Sequence, residues 1–267
     1  MARMNSTSLP ALFLGHGSPM TVITENPERR TLEAIGPRLP RPRAILCVTA
    51  HWETRGKIHL TAGAHPRTIH DFRGFPQELY EITYPAPGSD ELVAEVVALL
   101  GEDRCVADPS WGFDHGVWGV LKLLFPDADI PVVAMSLDRA MDAQAHFVTG
   151  RALAPLRERG VMIVGSGNIV HNLRLWMQTQ GTVPAWADEF RDRINRALMA
   201  GDEDALTQFA PDDEAASLAI NSGEHYLPLL TVAGARLPGD EVAIFNDTVD
   251  GALSMTSALI GDPAILG

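Results

Sequence analysis

Val161-Met162-Ile163-Val164-Gly165-Ser166-Gly167-Asn168 is a short apolar run that stops abruptly at glycines and polar residues. Other apolar runs stop at polar residues in the same way: Ala11–Leu14, Ala44–Val48, Pro131–Met135 and Val242–Phe245. Continuous apolar runs of this length, rather than alternating ones, are typical of strands covered on both faces of a sheet. The pattern therefore predicts a buried central sheet.

Helical patterns lie between the predicted strands. Ser89 is a predicted N-cap for a helix over Asp90–Leu100, and Gly101 stands just past its end. Two further helices are predicted over Met141–Arg159 and Ala185–Met199. Because strands alternate with helices, we predict an α/β fold with a central, mostly parallel or mixed sheet flanked by helices on both faces.

Length, charge and cysteine content limit the classes of function. The chain has 267 residues and a formal net charge of -13 at pH 7, so neither nucleic acid nor an anionic membrane is an expected partner. Two cysteines cannot build a disulfide framework, which favours a reducing compartment. No signal peptide is recognisable, and the longest apolar stretches are too short to cross a bilayer. We expect a single domain over residues 1–267, located in the cytoplasm.

Histidines recur where the predicted strands end. His16 and His51 each come directly after an apolar run, and His171 follows a third run after one short glycine loop. In open α/β sheets, ligands bind beyond the carboxyl ends of the strands. Glycines beside His16 and around Ser166 would let another group approach the backbone at a site, and ordinary turns explain them equally well. Ordinary turns do not explain why imidazoles recur there. The sequence therefore indicates one histidine-rich rim.

His115 and His225 are further candidates. His115 follows Asp114, which is a predicted cap for a helix over Gly116–Phe125, and it is also suited to acid–base chemistry near neutral pH. Glu224-His225 begins an apolar helix and offers either two ligands or one ligand and one cap.

The remaining histidines are weaker candidates. His70 lies in the aromatic loop His70–Pro76 and either contacts substrate or belongs to a loop pinned by Asp71 and Arg73. His59 reads as a structural residue on an edge or short strand, and His146 as a solvated residue on a helix.

Two or three neutral imidazoles, alone or with one carboxylate such as Glu53, suit Zn(II) or Fe(II). An open Fe(II) site suits dioxygen chemistry and an open Zn(II) site suits hydrolysis, and the residues by themselves do not choose between them. The sequence contains neither a phosphate-binding G-x-x-x-x-G-K-[ST] loop nor a G-x-S-x-G nucleophile elbow.

A set of ordered motifs resembles a known family. The motifs are Gly15–Met20, Thr49–Trp52, His70–Tyr80, Tyr84–Gly88, Asp114–Trp118, Gly165–Gly167 with Val170–Leu173, and Glu224–Leu229. Together, from about Gly15 to Ser257, they resemble the 4,5-DOPA dioxygenase extradiol family of the class III extradiol ring-cleavage dioxygenases, in the LigB-like superfamily. One departure stands out, because Ile220-Asn221-Ser222 replaces a His-Pro-Thr run of the family. The departure implies a lost pocket contact and an altered substrate preference.

The resemblance implies one non-haem divalent metal, with Fe(II) expected for activity and Zn(II) possible. It implies that His16, His51 and His225 bind this metal, with His171 as a fourth ligand or just outside. The substrates would be a catechol, such as a DOPA-like compound, and dioxygen, and the ring would open beside its two hydroxyls.

Roles for the pocket residues follow from this reading. His171 would be the base for the catechol proton, and His115 or His171 would later donate a proton. The aromatic loop around Phe72 would cover the ring, and His70 and Ser18 would contact the substrate. The alternatives are a zinc-dependent hydrolase on the same histidines and a binding module that has lost the chemistry.

Overall fold

The computed structural model describes residues 8–179 and 182–267. The strands are β1 (Ala11–Gly15), β2 (Ala44–Thr54), β3 (Ile58–Thr61), β4 (Cys105–Asp108), β5 (Val132–Asp138), β6 (Val161–Gly167), β7 (Glu241–Phe245), β8 (Val249–Asp250), β9 (Leu253–Ser254) and β10 (Ser257–Gly261). The helices are α1 (Pro27–Ile35), α2 (Gln77–Glu81), α3 (Asp90–Leu100), α4 (His115–Leu124), α5 (Ala143–Leu153), α6 (Pro155–Glu158), α7 (Leu173–Gln178), α8 (Ala185–Ala200), α9 (Glu203–Thr207), α10 (Glu214–Ala219) and α11 (Leu227–Gly234).

Eight strands form one mixed sheet in the order β4-β3-β5-β2-β6-β1-β10-β7. The central strands β5, β2, β6 and β1 are parallel to one another. At one margin, β10 pairs antiparallel with β1, and β7 pairs antiparallel with β10. Strands β8 and β9 form a separate hairpin. The prediction of a single-domain α/β fold with a mostly parallel or mixed sheet is confirmed.

Alternate residues of the central strands face two different apolar cores. Leu12 and Ile45 pack on one face with residues of α1 and α4. Phe13 and Leu46 pack on the other face with residues of α3, α5, α8 and α11. Both faces of the central strands are therefore covered, as the continuous apolar runs predicted. The run Val242–Phe245 is an exception, because β7 lies at the edge of the sheet and remains partly exposed.

The capping residues predicted correctly where a helix begins and ends, but the sequence pattern did not predict where a helix is interrupted. Ser89 accepts a hydrogen bond from the backbone of Leu92 and begins α3, which ends before Gly101 as predicted. The single helix predicted over Met141–Arg159 is wrong, because the structure has two helices, α5 and α6, on either side of Ala154. Pro155 has no backbone N–H and cannot continue the hydrogen-bond ladder, so it starts a new helix.

The sheet brings the predicted strand exits to one rim. Strands β1, β6 and β2 are adjacent and parallel, so their carboxyl ends lie at the same edge. His51 lies within the long strand β2 rather than after it, where the pairing with β5 is irregular between Val48 and Glu53. Within residues 8–179 and 182–267, no helix combines the length and apolar character needed to cross a membrane.

Candidate functional site

His16 is held at the carboxyl end of β1 by its neighbour strand. Its backbone N–H donates to the Gly167 carbonyl at 3.3 Å, and its Nδ1 lies 3.0 Å from the Ser166 hydroxyl. The residue is buried. Burial lowers the pKa of His16 well below its usual value, and the surrounding histidines lower it further. The imidazole is therefore neutral near pH 7, which is the form that binds metals.

His51 and His225 complete a group of three imidazoles with His16. The Nε2 atoms of His51 and His225 lie 3.3 Å apart. One ring nitrogen from each of the three residues lies within 4.8 Å of the corresponding atoms of the other two. His16 directly follows β1 and His51 lies on β2, whereas His225 comes from the loop that precedes α11. Residues far apart in the sequence thus meet at the rim of the sheet.

Glycine at position 167 lets the His225 loop approach β6. A Cβ on Gly167 would lie 2.1 Å from the His225 carbonyl oxygen, so any side chain would push the loop away. The same carbonyl accepts a hydrogen bond from the Asn168 backbone N–H at 2.8 Å. The glycines around Ser166 therefore serve close backbone approach, since Gly165 and Gly167 lie within β6 rather than in a turn.

A carboxylate and a second ring surround His225. Its Nδ1 lies 2.9 Å from Glu224 Oε1, which also accepts from the Ser222 hydroxyl at 2.9 Å. The ring of His171 stacks on that of His225, with centroids 3.4 Å apart. Burial lowers the pKa of His225 to about 4 against the opposing effect of Glu224. Burial also lowers the pKa of His171, to about 3, and the nearby His225 adds to this.

Ser222 gives the segment Ile220-Asn221-Ser222 a place in the site. Its hydroxyl reaches Glu224, and Glu224 in turn contacts His225. Burial opposes ionisation of Glu224, but hydrogen bonds from His225 and its own backbone outweigh that and lower its pKa to about 2. The segment therefore contributes a hydroxyl that supports the carboxylate behind His225.

His115 stands on the other side of His51, with ring centroids 3.9 Å apart. It is the first residue of α4, and Asp114 caps that helix as predicted by accepting from the Val117 backbone. Asp71 Oδ2 lies 2.9 Å from His115 Nδ1 and 3.1 Å from His51 Nδ1. The contact with His51 does not have the angle of a hydrogen bond, so His51 Nδ1 approaches the carboxylate without a hydrogen-bond partner among the described residues. His115 and His51 thus share one carboxylate.

The shared carboxylate affects the two imidazoles differently. Burial lowers the pKa of His115, and the hydrogen bond to Asp71 only partly offsets this. For His51, burial also lowers the pKa, but Asp71 and the fully buried Asp114 outweigh it and the net pKa is raised. Burial opposes ionisation of Asp71 itself, yet the hydrogen bond from His115 and the close contact with His51 hold its pKa below the usual range.

The aromatic loop lies beside His115. The ring centroid of Phe72 is 5.6 Å from that of His115 and 5.2 Å from that of Phe75. His70 uses its Nε2 to donate to the Ile82 carbonyl at 3.0 Å, so this nitrogen holds the loop. Ser18 accepts from the Met20 backbone and lines a narrow cavity next to His16 and His115.

Among the groups of potential ligands in the described residues, the three imidazoles of His16, His51 and His225 fit a divalent metal best. Two nitrogens bound to one zinc ion at about 2.0–2.1 Å with tetrahedral angles lie roughly 3.3–3.4 Å apart, close to the separation seen for His51 and His225. Two other groups have similar spacing: His51, Asp71 and His115, and His171, Glu224 and His225. In both, the carboxylate already contacts the outer nitrogen of a histidine, as carboxylates behind metal ligands do. Glu53 instead pairs with Arg139.

Some sequence-based interpretations were incomplete or wrong. Asp71 and Ser166 were not predicted as partners of the site histidines, because nothing local to either residue signals a contact across the sheet. His146 was expected to be solvated, but it is buried with its Nε2 unpartnered. His59 lies on a short strand, β3, which is one of the two alternatives predicted for it; the other is wrong because β4 forms the edge. Its Nδ1 contacts Asp108 at 2.9 Å.

Comparison with known proteins gives consistent results. Residues 10–252 match the family described as the catalytic LigB subunit of aromatic ring-opening dioxygenase. The chain is 46% identical over 265 residues to a 4,5-DOPA dioxygenase extradiol of Escherichia coli (strain K12), covering 97% of each chain. It is 34% identical to a 4,5-DOPA dioxygenase extradiol of Beta vulgaris, covering 90% of this chain and 92% of that one.

A solved structure has the same fold. The crystal structure of an uncharacterized protein from Escherichia coli K12 superposes with a TM-score of 0.81 at 41% sequence identity, covering 95% of this chain and 100% of that one. Both named relatives are dioxygenases, and nothing in these similarities supports the hydrolase alternative. The rim of converging histidines, the full-length family match and the shared fold together lead to one conclusion. This chain is an enzyme that belongs to the LigB family of aromatic ring-opening dioxygenases.

Proposed function

We propose that this enzyme cleaves a catechol, of the DOPA-like class, beside its two hydroxyls with incorporation of dioxygen, using one Fe(II) ion held by His16, His51 and His225. The observation that carries the proposal is the convergence of these three imidazoles, whose nitrogens lie within 4.8 Å of one another. Three protein ligands leave room at an ion for small molecules. When bound, the ion would supply a positive charge that stabilises the catechol anion and a centre that activates dioxygen.

His171 is the proposed base for the catechol proton. Its pKa, lowered to about 3 by burial and by His225, keeps the ring neutral near pH 7, so a ring nitrogen is unprotonated. A catechol bound at the cation would be acidic enough to pass its proton to this weakly basic nitrogen. Its stacking on His225 sets the ring beside a proposed metal ligand and limits its rotation. Because an ion lies in the plane of an imidazole that binds it, two parallel rings 3.4 Å apart do not both point at one ion. Of the two positions that the family resemblance implied for His171, the stacking favours one just outside the metal over a fourth ligand.

His115 is the proposed proton donor for the later step. Its Nδ1–H donates to Asp71, which leaves Nε2 unprotonated in the neutral ring. Nε2 would therefore first take up a proton released by the catechol and then deliver it in the later step. The Phe72 ring beside it would cover the aromatic substrate and exclude water. Ser18 lies near enough to His16 and His115 to contact a bound substrate. His70 would contact the substrate through the face of its ring, because its Nε2 already donates to the Ile82 carbonyl.

An anaerobic reconstitution assay tests the proposal. The metal-free protein is loaded with Fe(II), mixed with a panel of catechols that includes DOPA, and then exposed to oxygen. We expect oxygen uptake matched by formation of a coloured ring-opened product. The His171→Gln variant should lose about 10²–10⁴-fold in kcat, as for loss of a general base. His59→Gln, which alters a histidine paired with Asp108 outside the site, serves as the matched control.

Two results would contradict the proposal. One is the absence of oxygen uptake by the Fe(II)-loaded protein across the whole panel. The other is turnover that persists without oxygen in protein loaded with Zn(II) alone, which would indicate a hydrolase.

A further inference from the structure

Asp71 contacts two site histidines at once and lies on the aromatic loop. Its Oδ2 is 2.9 Å from His115 Nδ1 and 3.1 Å from His51 Nδ1. Its other oxygen, Oδ1, accepts from the His115 backbone N–H at 2.9 Å. The side chain is 18% exposed, so water competes little for these contacts. Both oxygens of one carboxylate are therefore committed to the site.

The chemistry of a carboxylate fixes the protonation of both rings. An ionised carboxylate accepts hydrogen bonds and donates none. The hydrogen bond with Asp71 therefore requires the proton on Nδ1 of His115, and the 3.1 Å approach of the same carboxylate favours the proton on Nδ1 of His51. In a neutral imidazole the other nitrogen, Nε2, is then unprotonated. The Nε2 of His51 is the atom that lies 3.3 Å from His225 Nε2, where the proposed metal ligands converge.

The loop on which Asp71 lies is itself anchored. His70 donates to the Ile82 carbonyl at 3.0 Å, and the Trp118 indole donates to the Ile69 carbonyl at 2.9 Å. Phe72, the next residue after Asp71, faces the His115 ring. The position of the aromatic loop and the orientation of His115 are thus joined through a single side chain.

We propose that Asp71 is a positioning residue that holds His51 and His115 in their Nδ1–H tautomers and ties the aromatic loop, His70–Pro76, to both. One carboxylate would then orient a metal ligand and a histidine that takes up and returns a proton, with the substrate cover in place. The catalytic consequences rest on the proposed function. The tautomers do not depend on it, and the effect on metal affinity depends only on His51 being a metal ligand.

Asp71→Asn is the sharpest variant because the side chain keeps its shape. Both carboxylate oxygens act as acceptors, so the amide group of Asn must face an N–H whichever way it turns. The matched control is Asp108→Asn, since Asp108 Oδ2 lies 2.9 Å from His59 Nδ1 and forms an Asp–His pair of the same length outside the site.

The first measurement is long-range ¹H–¹⁵N correlation NMR of the histidine rings in the metal-free protein. We expect Nδ1–H in His51 and His115 of the unaltered protein. In Asp71→Asn the Nδ1–H fraction should fall in at least one of the two rings, while Asp108→Asn should change His59 alone. A different tautomer of His115 in the unaltered protein would overturn the proposal without any variant. Unchanged tautomers of both rings in Asp71→Asn would overturn it too.

The second measurement is Zn(II) affinity by competition with a chromophoric chelator. We expect Asp71→Asn to weaken binding about 10- to 100-fold, as for loss of a carboxylate behind a ligating histidine. Asp108→Asn should bind Zn(II) as the unaltered protein does. Equal affinities for all three proteins would contradict the proposal.

Steady-state kinetics with Fe(II) and a catechol separate positioning from simple binding. Asp71→Asn should lower kcat by a larger factor than it raises KM, because His115 is misdirected, and Phe72→Ala should act mainly on KM. Equal kcat values for Asp71→Asn and the unaltered enzyme would count against the proposal. If the unaltered protein cleaves no catechol, the proposed function fails, and the tautomers and Zn(II) affinity still decide the role of Asp71.

Discussion

The histidine site has two halves that are built in different ways. The sheet half consists of His16, His51 and Ser166, which lie on or next to β1, β2 and β6. Backbone hydrogen bonds fix it, since the registers Gly15↔Gly167 and Thr49↔Ser166 align the strand ends. The loop half consists of His171, Glu224 and His225. It is held by ring stacking, a carboxylate and backbone hydrogen bonds that include Asn168 to His225 and His171 to Ala219.

The difference shows how each half achieves precision. In the sheet half, the hydrogen bonds between the strands position the backbone next to His16, and the neutral hydroxyl of Ser166 orients the His16 ring. In the loop half the backbone forms an isolated bridge between His171 and Leu253 rather than a ladder, and the charged side chain of Glu224 orients His225. A hydrogen bond to a charged group is worth roughly twice a neutral one. We therefore expect His225 to be more sensitive than His16 to substitution of the side chain that supports it.

Removal of an imidazole from either half should have the largest effect. His16→Ala takes a ligand from the sheet half and His225→Ala takes one from the loop half. If the halves share one ion, each variant should lose nearly all bound Fe(II) or Zn(II), as measured by metal analysis after anaerobic loading and desalting. His115→Ala should retain the metal and slow turnover. Full metal content in either His16→Ala or His225→Ala would show that the ion belongs to one half alone.

Removal of the supporting side chains should have a smaller effect that differs between the halves. Glu224→Gln should weaken Zn(II) binding about 10- to 100-fold. Ser166→Ala removes a neutral hydrogen bond worth about 0.5–1.5 kcal/mol, so its effect should be roughly tenfold or less. Chelator competition measures both. A larger loss in Ser166→Ala than in Glu224→Gln would reverse the proposed contrast.

The junction between the halves is expected to show an effect on stability. Gly167→Ala would place a Cβ 2.1 Å from the His225 carbonyl oxygen and should cost about 1–3 kcal/mol. Gly119→Ala is the matched control, because the nearest atom to its Cβ is Val22 Cγ2 at 3.9 Å. In this helix position alanine should be neutral or stabilise by about 0.5–1 kcal/mol. Thermal unfolding of the metal-free proteins compares them, and equal midpoints would rule out the close approach.

The sheet half was largely predictable from the sequence. Apolar runs before His16 and His51 give the strands, and neighbouring parallel strands must end at one edge. Capping signals such as Ser89 and Gly101 located α3, because they act within a few residues of the helix ends. These features follow from local patterns.

The loop half and the supporting contacts were less predictable. The place of His225 came from resemblance to a family rather than from spacing. The contacts of Ser166 with His16 and of Asp71 with His115 join residues 150 and 44 positions apart, and no local pattern encodes them. The expected exposure of His146 failed for the same reason, since its burial depends on which elements pack against α5.

Anomalous diffraction from crystals grown with Zn(II) or Fe(II) tests the convergence of the two halves most directly. We expect one anomalous peak per chain at this rim, about 2.0–2.2 Å from a ring nitrogen of each of His16, His51 and His225. A peak bound instead by His51, Asp71 and His115, or by His171 and Glu224 without His16, would contradict this arrangement of the metal centre.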